Sequence, residues 1–230
     1  MHLGSQNTRQ QYTLNGQILE AITEEKDLGV IVDNQLTFRT QAASAAKRAN
    51  RVLSCIRRTI KYKEQDMIIP LYNALVRPIL EYGNVIWDPR FREDQKLIER
   101  VQKRATRMIP SVRELDYTAR LEALKLPSLQ HRRRRGDMIQ AYNIFSGRDR
   151  VDAQKLFPEH ESSTMQMSQM ENLQASTKIG TTKALFHLQS SKGLEPSIAP
   201  NIIEAETLDQ FKARLDKYWQ GERFTNPFSI

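Results

Sequence analysis

Three runs between Thr40 and Ile109 repeat their apolar residues every three or four positions, a period that restricts the middle of this chain to packed amphipathic helices. In the first, Thr40 to Lys61, Ala45, Ala49, Val52, Leu53, Ile56 and Ile60 share one face. Lys47, Arg51, Arg57, Arg58 and Lys61 fall on the other, and no acid stands between Thr40 and Lys63. The second, Glu64 to Tyr82, carries Ile68, Leu71, Tyr72, Leu75, Val76, Ile79 and Leu80 with few polar residues, which predicts a mostly buried helix. Pro78 lacks a backbone donor and should kink that helix or begin a new turn. The third, Glu93 to Ile109, puts Leu97, Val101, Ala105 and Met108 on a core stripe and stops at Pro110. Lys96, Arg100, Lys103, Arg104 and Arg107 then project within roughly 100° of arc. Glu93 and Glu99 offset only part of their mutual repulsion.

Charge is concentrated where these helices lie. The 230 residues carry a net +8, but residues 1–147 hold 25 Lys+Arg against 16 Asp+Glu and residues 148–230 hold 10 against 11. Between Lys47 and Arg135 there are 22 cations and 10 acids. Cations gathered on one flank raise the potential there and point to a polyanionic partner. At 39% apolar and 27% charged, with mean hydropathy −0.60, the composition suits a globular protein. Cys55 is the one cysteine, so no internal disulfide can form, and on a helix it reads as a small packing residue. No stretch approaches the ~18 apolar residues that span a bilayer, and the expected location is intracellular, cytoplasmic or nuclear.

The N-terminal stretch before Thr40 reads differently. Tyr12–Leu14 and Gln17–Ile22 flank Asn15-Gly16, a pair suited to a two-residue turn with positive φ at both positions. Leu28–Val32, interrupted by Gly29, reads as a further strand of the same small antiparallel sheet. Ile18, Val30 and Val32 would be an aggregation hazard if those strands stayed unpaired. Asp27 and Asp33 stand alone near strand ends.

Arg132 to Arg135 tempts a reading as a nucleic-acid patch, but four consecutive helical residues span 300° and cannot face one ligand. Ser128 is a good N-cap, and Met138, Ile139, Ala141, Tyr142 and Phe145 mark the inward face. Arg134 and Arg135 lie near that apolar arc, with Glu81 and Asp137 as candidate partners. Trp87, in a short loop, reads as a packing residue. Beyond Gly147 the period dissolves. It returns at Thr207–Lys212 and Leu215–Trp219 as a short amphipathic helix. The four histidines are scattered, no spacing suits zinc, and no phosphate-cradling or nucleophile motif occurs, so no catalytic residue, metal site or cofactor is expected.

Several words in this order resemble a known family. They are Lys26-Asp27-Leu28-Gly29-Val30, Lys47 to Leu53, Leu75-Val76-Arg77-Pro78, Glu81-Tyr82, Val101-Gln102-Lys103-Arg104-Ala105, and Leu126-Pro127-Ser128-Leu129 with Arg132 to Met138. Together they resemble the palm end and thumb of reverse transcriptases from non-LTR (LINE-type) retrotransposons. Met1-His2-Leu3-Gly4 and Tyr12-Thr13-Leu14-Asn15-Gly16 are similar to words that follow the palm's catalytic core, so Met1 looks like an internal methionine and the metal-binding aspartates would lie upstream. The match is good over 1–147, fair over 205–219 and poor between.

The resemblance implies a mainly α fold, a helical thumb-like bundle behind a small N-terminal β-hairpin sheet. Residues 1–38 would be the palm end, 39–147 the thumb, 148–200 a poorly ordered linker and 201–230 a C-terminal helix and tail. It makes Leu28, Gly29 and Val30 primer-grip-like. A truncated RNA-directed DNA polymerase of this kind would not catalyse alone, because phosphoryl transfer needs metals held by paired carboxylates. It would bind an RNA–DNA hybrid or duplex through its backbone, by Lys47, Arg51, Arg58 and Lys61 on one helix and Lys96, Arg100, Lys103, Arg104 and Arg107 on the other. The missing fingers–palm portion is a second expected partner. The alternative is an inert or protein-interaction module left by a retrotransposon.

Overall fold

Asn15 and Gly16 take positive φ, 50° and 79°, and join β1 (Thr13–Leu14) to β2 (Gln17–Ile18) through the expected two-residue turn. In this computed structural model, which describes residues 1–4, 7–152, 202, 204–225 and 228, a second antiparallel hairpin follows, β3 (Glu24–Asp27) with β4 (Val30–Asp33). The single sheet expected from sequence is thus two separate two-stranded sheets. Leu28 and Gly29, at φ 44° and 86°, are the turn of the second hairpin and not the start of a strand. A leucine at positive φ is sterically disfavoured, so the turn needs outside support. Tyr82 supplies it: its hydroxyl donates to the Leu28 carbonyl at 2.8 Å. Its ring lies where a Cβ on Gly29 would come within 3.3 Å of Cε1. Val30 is buried and Val32 packs partly on the core, which corrects the expected exposure of both; Ile18, at 63%, is exposed as expected.

β4 hands the chain to α1 (Arg39–Thr59) through a cap that the sequence reading missed. Phe38 begins the helix at φ 55° with no side chain capping it locally. The Asp33 carboxylate does that work from five residues away, accepting from the Gln35, Thr37 and Phe38 amides and from the Thr37 hydroxyl. Burial alone would raise its pKa, but these donors outweigh that and hold it below the usual carboxylate value. Asp33→Ala should cost about 1–2 kcal/mol at neutral pH, as lost helix caps do. Because the folded-state pKa is depressed, the stabilisation is complete above the unfolded value and disappears as pH falls through the folded one. Denaturant melts of both proteins should therefore show the gap closing below about pH 4; a gap constant down to strong acid would refute this account.

The second helical run is α2 (Gln65–Leu71), a π-helical turn over Tyr72–Val76, and α3 (Arg77–Glu81). Pro78 explains the wide turn. It has no N–H to return to Ala74, and the Arg77 amide bonds instead to the Tyr72 carbonyl, five residues back. An α-helix overshoots by about 40° every four residues, and the wider π turn takes up that drift. Ile68, Tyr72, Val76 and Leu80, each four residues apart, are accordingly all buried. The expectation of a mostly buried helix fails on the other face, where Met67, Leu75 and Tyr82 are exposed. Trp87 lies in a one-turn α4 (Asn84–Trp87), fully buried, its indole N–H on the Tyr82 carbonyl at 2.6 Å.

Then come α5 (Arg92–Thr106), a 3₁₀ turn at Pro110–Val112, α6 (Tyr117–Ala123), α7 (Leu129–Phe145) and α8 (Leu208–Tyr218). The protein is mainly α with a small β part. Two compact units are present, 1–133 with 223–230, and 134–222. The first has its core where α1, α5 and the α2–α3 run meet. In the second, Met138, Ala141, Tyr142 and Phe145 pack as expected, with Phe211, Leu215 and Trp219 against them; Tyr142 stacks on Phe211 at 4.3 Å. Thr207 caps α8 by accepting the Gln210 amide. The expected linker lies outside the described residues from position 153 onward.

Candidate nucleic-acid interface

Two polar links fix how α1 lies on α5. Arg39 Nε is 3.5 Å from Asp94 Oδ2, and Arg104 Nη1 donates to Asn50 Oδ1 at 2.9 Å. The residue offsets, 55 and 54, are nearly the same eleven positions along, so the two helices run parallel and almost in register. The Arg104–Asn50 bond is solvent-exposed and joins the outward faces of the pair. On α1, Lys47, Arg51 and Arg58 are exposed opposite the buried row of Ala42, Ala45, Ala49, Leu53 and Ile56. On α5, Arg100, Lys103 and Arg104, with Arg107 at its C-terminal cap, are exposed opposite Ile98, Val101 and Ala105.

At 1.5 Å rise per residue, Lys47, Arg51, Arg100, Lys103, Arg104 and Arg107 fall within about 10 Å of helix length on adjoining rows. Arg58 extends the α1 row by two turns. Lys61 lies beyond the end of α1, its ammonium 5.5 Å from the Tyr62 ring centroid. Lys96 is half-buried, 6.0 Å from the ring of Phe228. Among the described residues, no carboxylate comes within ion-pair distance of any of the nine. Cys55, on the same helix, is exposed and not a packing residue.

The inner face of α5 departs from the expected stripe of Leu97, Val101, Ala105 and Met108. Leu97 and Met108 are only partly buried, and the centre is shifted to Asp94, Ile98, Val101, Gln102 and Ala105. Glu99 points inward too, so it screens none of the surface cations. Its carboxylate accepts the Tyr117 hydroxyl at 2.6 Å and the Leu129 amide at 3.2 Å. Burial raises its pKa, and the Tyr117 hydroxyl, the Arg133 charge and the first amides of α7 draw it only partly back. Burial, then the Glu99 charge and hydrogen bond, raises the Tyr117 pKa in turn. Gln102 bridges Tyr72 and the Pro127 carbonyl. Ser128 Oγ accepts the His131 amide, capping α7 as expected.

The four-arginine run is occupied within the fold. Arg132 makes a two-pronged contact with Glu81, with Nη2–Oε2 at 3.0 Å. Arg133, 2% exposed, donates to Asp88 at 2.9 Å. Arg134 meets Glu222 and lies over the Trp219 ring, and Arg135 takes Asp216 with both prongs. The structural reading of this run holds, but with different partners. Glu81 belongs to Arg132, and the deeply buried member is Arg133, one residue before the pair expected to approach the apolar arc. Partners contributed by α3, by α8 and by the residues that follow α4 and α8 could not be assigned from spacing within α7.

Over 128 residues the chain is 30% identical to an uncharacterized protein of Caenorhabditis elegans. That stretch is 53% of this chain and 63% of the relative's length, so the chain spans less than two thirds of the protein it matches. No family model matches the chain, and no solved structure does.

Leu28, Gly29 and Val30 stand apart from the cationic rows in kind: an exposed tip, a turn glycine packed under Tyr82, and a buried core residue. Among the described residues no cluster of His, Cys, Asp and Glu suits a metal ion, and no helix is long and apolar enough to cross a membrane.

Proposed function

We propose that the α1–α5 face grips the sugar–phosphate backbone of a duplex, RNA–DNA hybrids included, without reading base edges. The chain would be the thumb-bearing C-terminal part of a LINE-type reverse transcriptase, unable to polymerise by itself. The observation that carries the binding reading is the parallel register: it sets two cationic rows side by side, while the arginines elsewhere on α7 are spent on carboxylates. Phosphate contacts position a protein on a duplex and need little more than cations at backbone spacing. If the six clustered cations each neutralise one phosphate, the logarithm of affinity should fall against the logarithm of salt with a slope of about −5. Titration of an RNA–DNA hybrid between roughly 50 and 200 mM salt tests this. A flat response, or no binding at the lower salt, rules the reading out.

A further inference from the structure

Arg120 is a buried cation without an acid. It is 4% exposed on α6, and among the described residues no carboxylate lies within ion-pair distance of it. Its Nη1 donates to two neutral groups, the Arg113 and Leu115 carbonyls, at 3.3 and 3.2 Å. Nε is enclosed with no partner, whereas Nη2 makes no hydrogen bond and is open to solvent. A guanidinium taken out of water without a counter-charge is destabilising, so an anion that reaches Nη2 gains a charge-assisted hydrogen bond and relieves that cost.

Two further cations come close. Arg107, exposed at the end of α5, is near enough for its charge to act on Arg120. Burial first, then Arg107, holds the Arg120 pKa below the usual guanidinium value, with Tyr117 and Asp116 opposing. Lys103 Nζ and the Arg120 guanidinium carbon each lie 5.7 Å from the centroid of the Tyr117 ring. The acids of this region are mostly occupied or turned elsewhere. Glu99 accepts the Tyr117 hydroxyl and the Leu129 amide, and Glu114 stands beside Arg113 at 4.0 Å. Glu122, two positions after Arg120 on α6, projects about 200° around the helix from it. Asp116 is left to oppose the three cations from the cap of α6, where its Oδ1 accepts the Ala119 amide at 2.7 Å.

We propose that Lys103, Arg107 and Arg120 seat one phosphate dianion where α5 meets α6, either inorganic phosphate or the terminal phosphate of a nucleic-acid strand. Three cations opposed by Asp116 leave two positive charges. A phosphomonoester, at about −1.5 to −2 near neutral pH, matches them and offers three oxygens to three donors. A phosphodiester within a strand brings a single charge and matches them less well. The inference deepens the duplex reading, since Lys103 and Arg107 serve both, and inorganic phosphate tests it apart from any duplex.

Calorimetric titration of the full chain with inorganic phosphate, at an ionic strength held constant with chloride, should show one saturable site. Arg107→Gln, at an exposed position, should weaken it roughly tenfold, the loss of one charge-assisted hydrogen bond. Asp116→Asn keeps a good N-cap residue and removes the opposing charge, so phosphate should bind several-fold more tightly. Lys26→Gln, exposed on β3, should change nothing. Arg120→Lys should also weaken binding; if that variant does not fold, the Arg107 and Asp116 variants decide. An RNA–DNA hybrid with a 5′-phosphate, compared with the same hybrid ending in a hydroxyl, separates the two sources. Tighter binding of the phosphorylated hybrid, with the difference lost in Arg107→Gln, assigns the site to strand ends. Equal binding of the two hybrids, with the phosphate titration intact, assigns it to free phosphate. The inference is overturned by the absence of saturable phosphate binding, by an affinity indifferent to Arg107→Gln, or by one not improved by Asp116→Asn, even where the hybrid still binds. Phosphate binding without hybrid binding would leave this site standing and remove the duplex reading.

Discussion

A chain carrying Arg100→Glu, Lys103→Glu and Arg107→Glu should bind an RNA–DNA hybrid on the order of a hundredfold more weakly near 0.1 M salt, with the salt slope falling by about half. Three of six clustered phosphate contacts would be lost, and each contributes about 0.9 to that slope. The side chains are exposed and among the described residues none has a carboxylate partner, but the Lys103 ammonium lies 5.7 Å from the Tyr117 ring centroid, so the fold should lose about 1 kcal/mol. The decisive comparison is an equal charge change placed elsewhere: Arg9→Glu, Lys26→Glu and Lys125→Glu, all exposed and off the two rows. If both triple variants lose the same affinity, net charge alone drives binding and the α1–α5 face has no special part in it.

Arg133→Ala should destabilise the protein by about 3–5 kcal/mol, whereas Arg135→Ala, two residues on, should cost about 1 kcal/mol or less. The Arg133 side chain is 2% exposed, so its removal empties a buried position at the start of α7 and takes one donor from Asp88. It also takes away positive charge that draws the raised pKa of the buried Glu99 partly back down. Arg135 and Asp216 are both substantially solvated, where water replaces the lost contact cheaply. Denaturant midpoints for the two variants measure the difference. Equal costs would show that the run acts as a surface feature and not as a set of individually seated side chains.

Much of the architecture was readable along the chain because its causes are local. The three- and four-residue spacing placed α1, α5 and α8, Asn15-Gly16 forced the first turn, Ser128 marked the start of α7, and the outward direction of Arg100, Lys103 and Arg107 followed from helical pitch. Errors gathered where the deciding group lies far off in sequence. Leu28-Gly29 is a turn because Tyr82 supports it from 54 residues away. Asp33 caps a helix to which it does not belong, and the row of α5 that faces inward was decided by Tyr117 and Pro127.

Sequence alone determined that the middle of this protein is helical and that each of two helices bears a cationic face, since side-chain direction repeats with the backbone. Only the tertiary structure decided that those helices run parallel and in register, that the four consecutive arginines are consumed by carboxylates, and that Glu99 turns inward. Each of those facts depends on which surfaces bury together, and burial is a property of helix pairs that no spacing within one helix encodes.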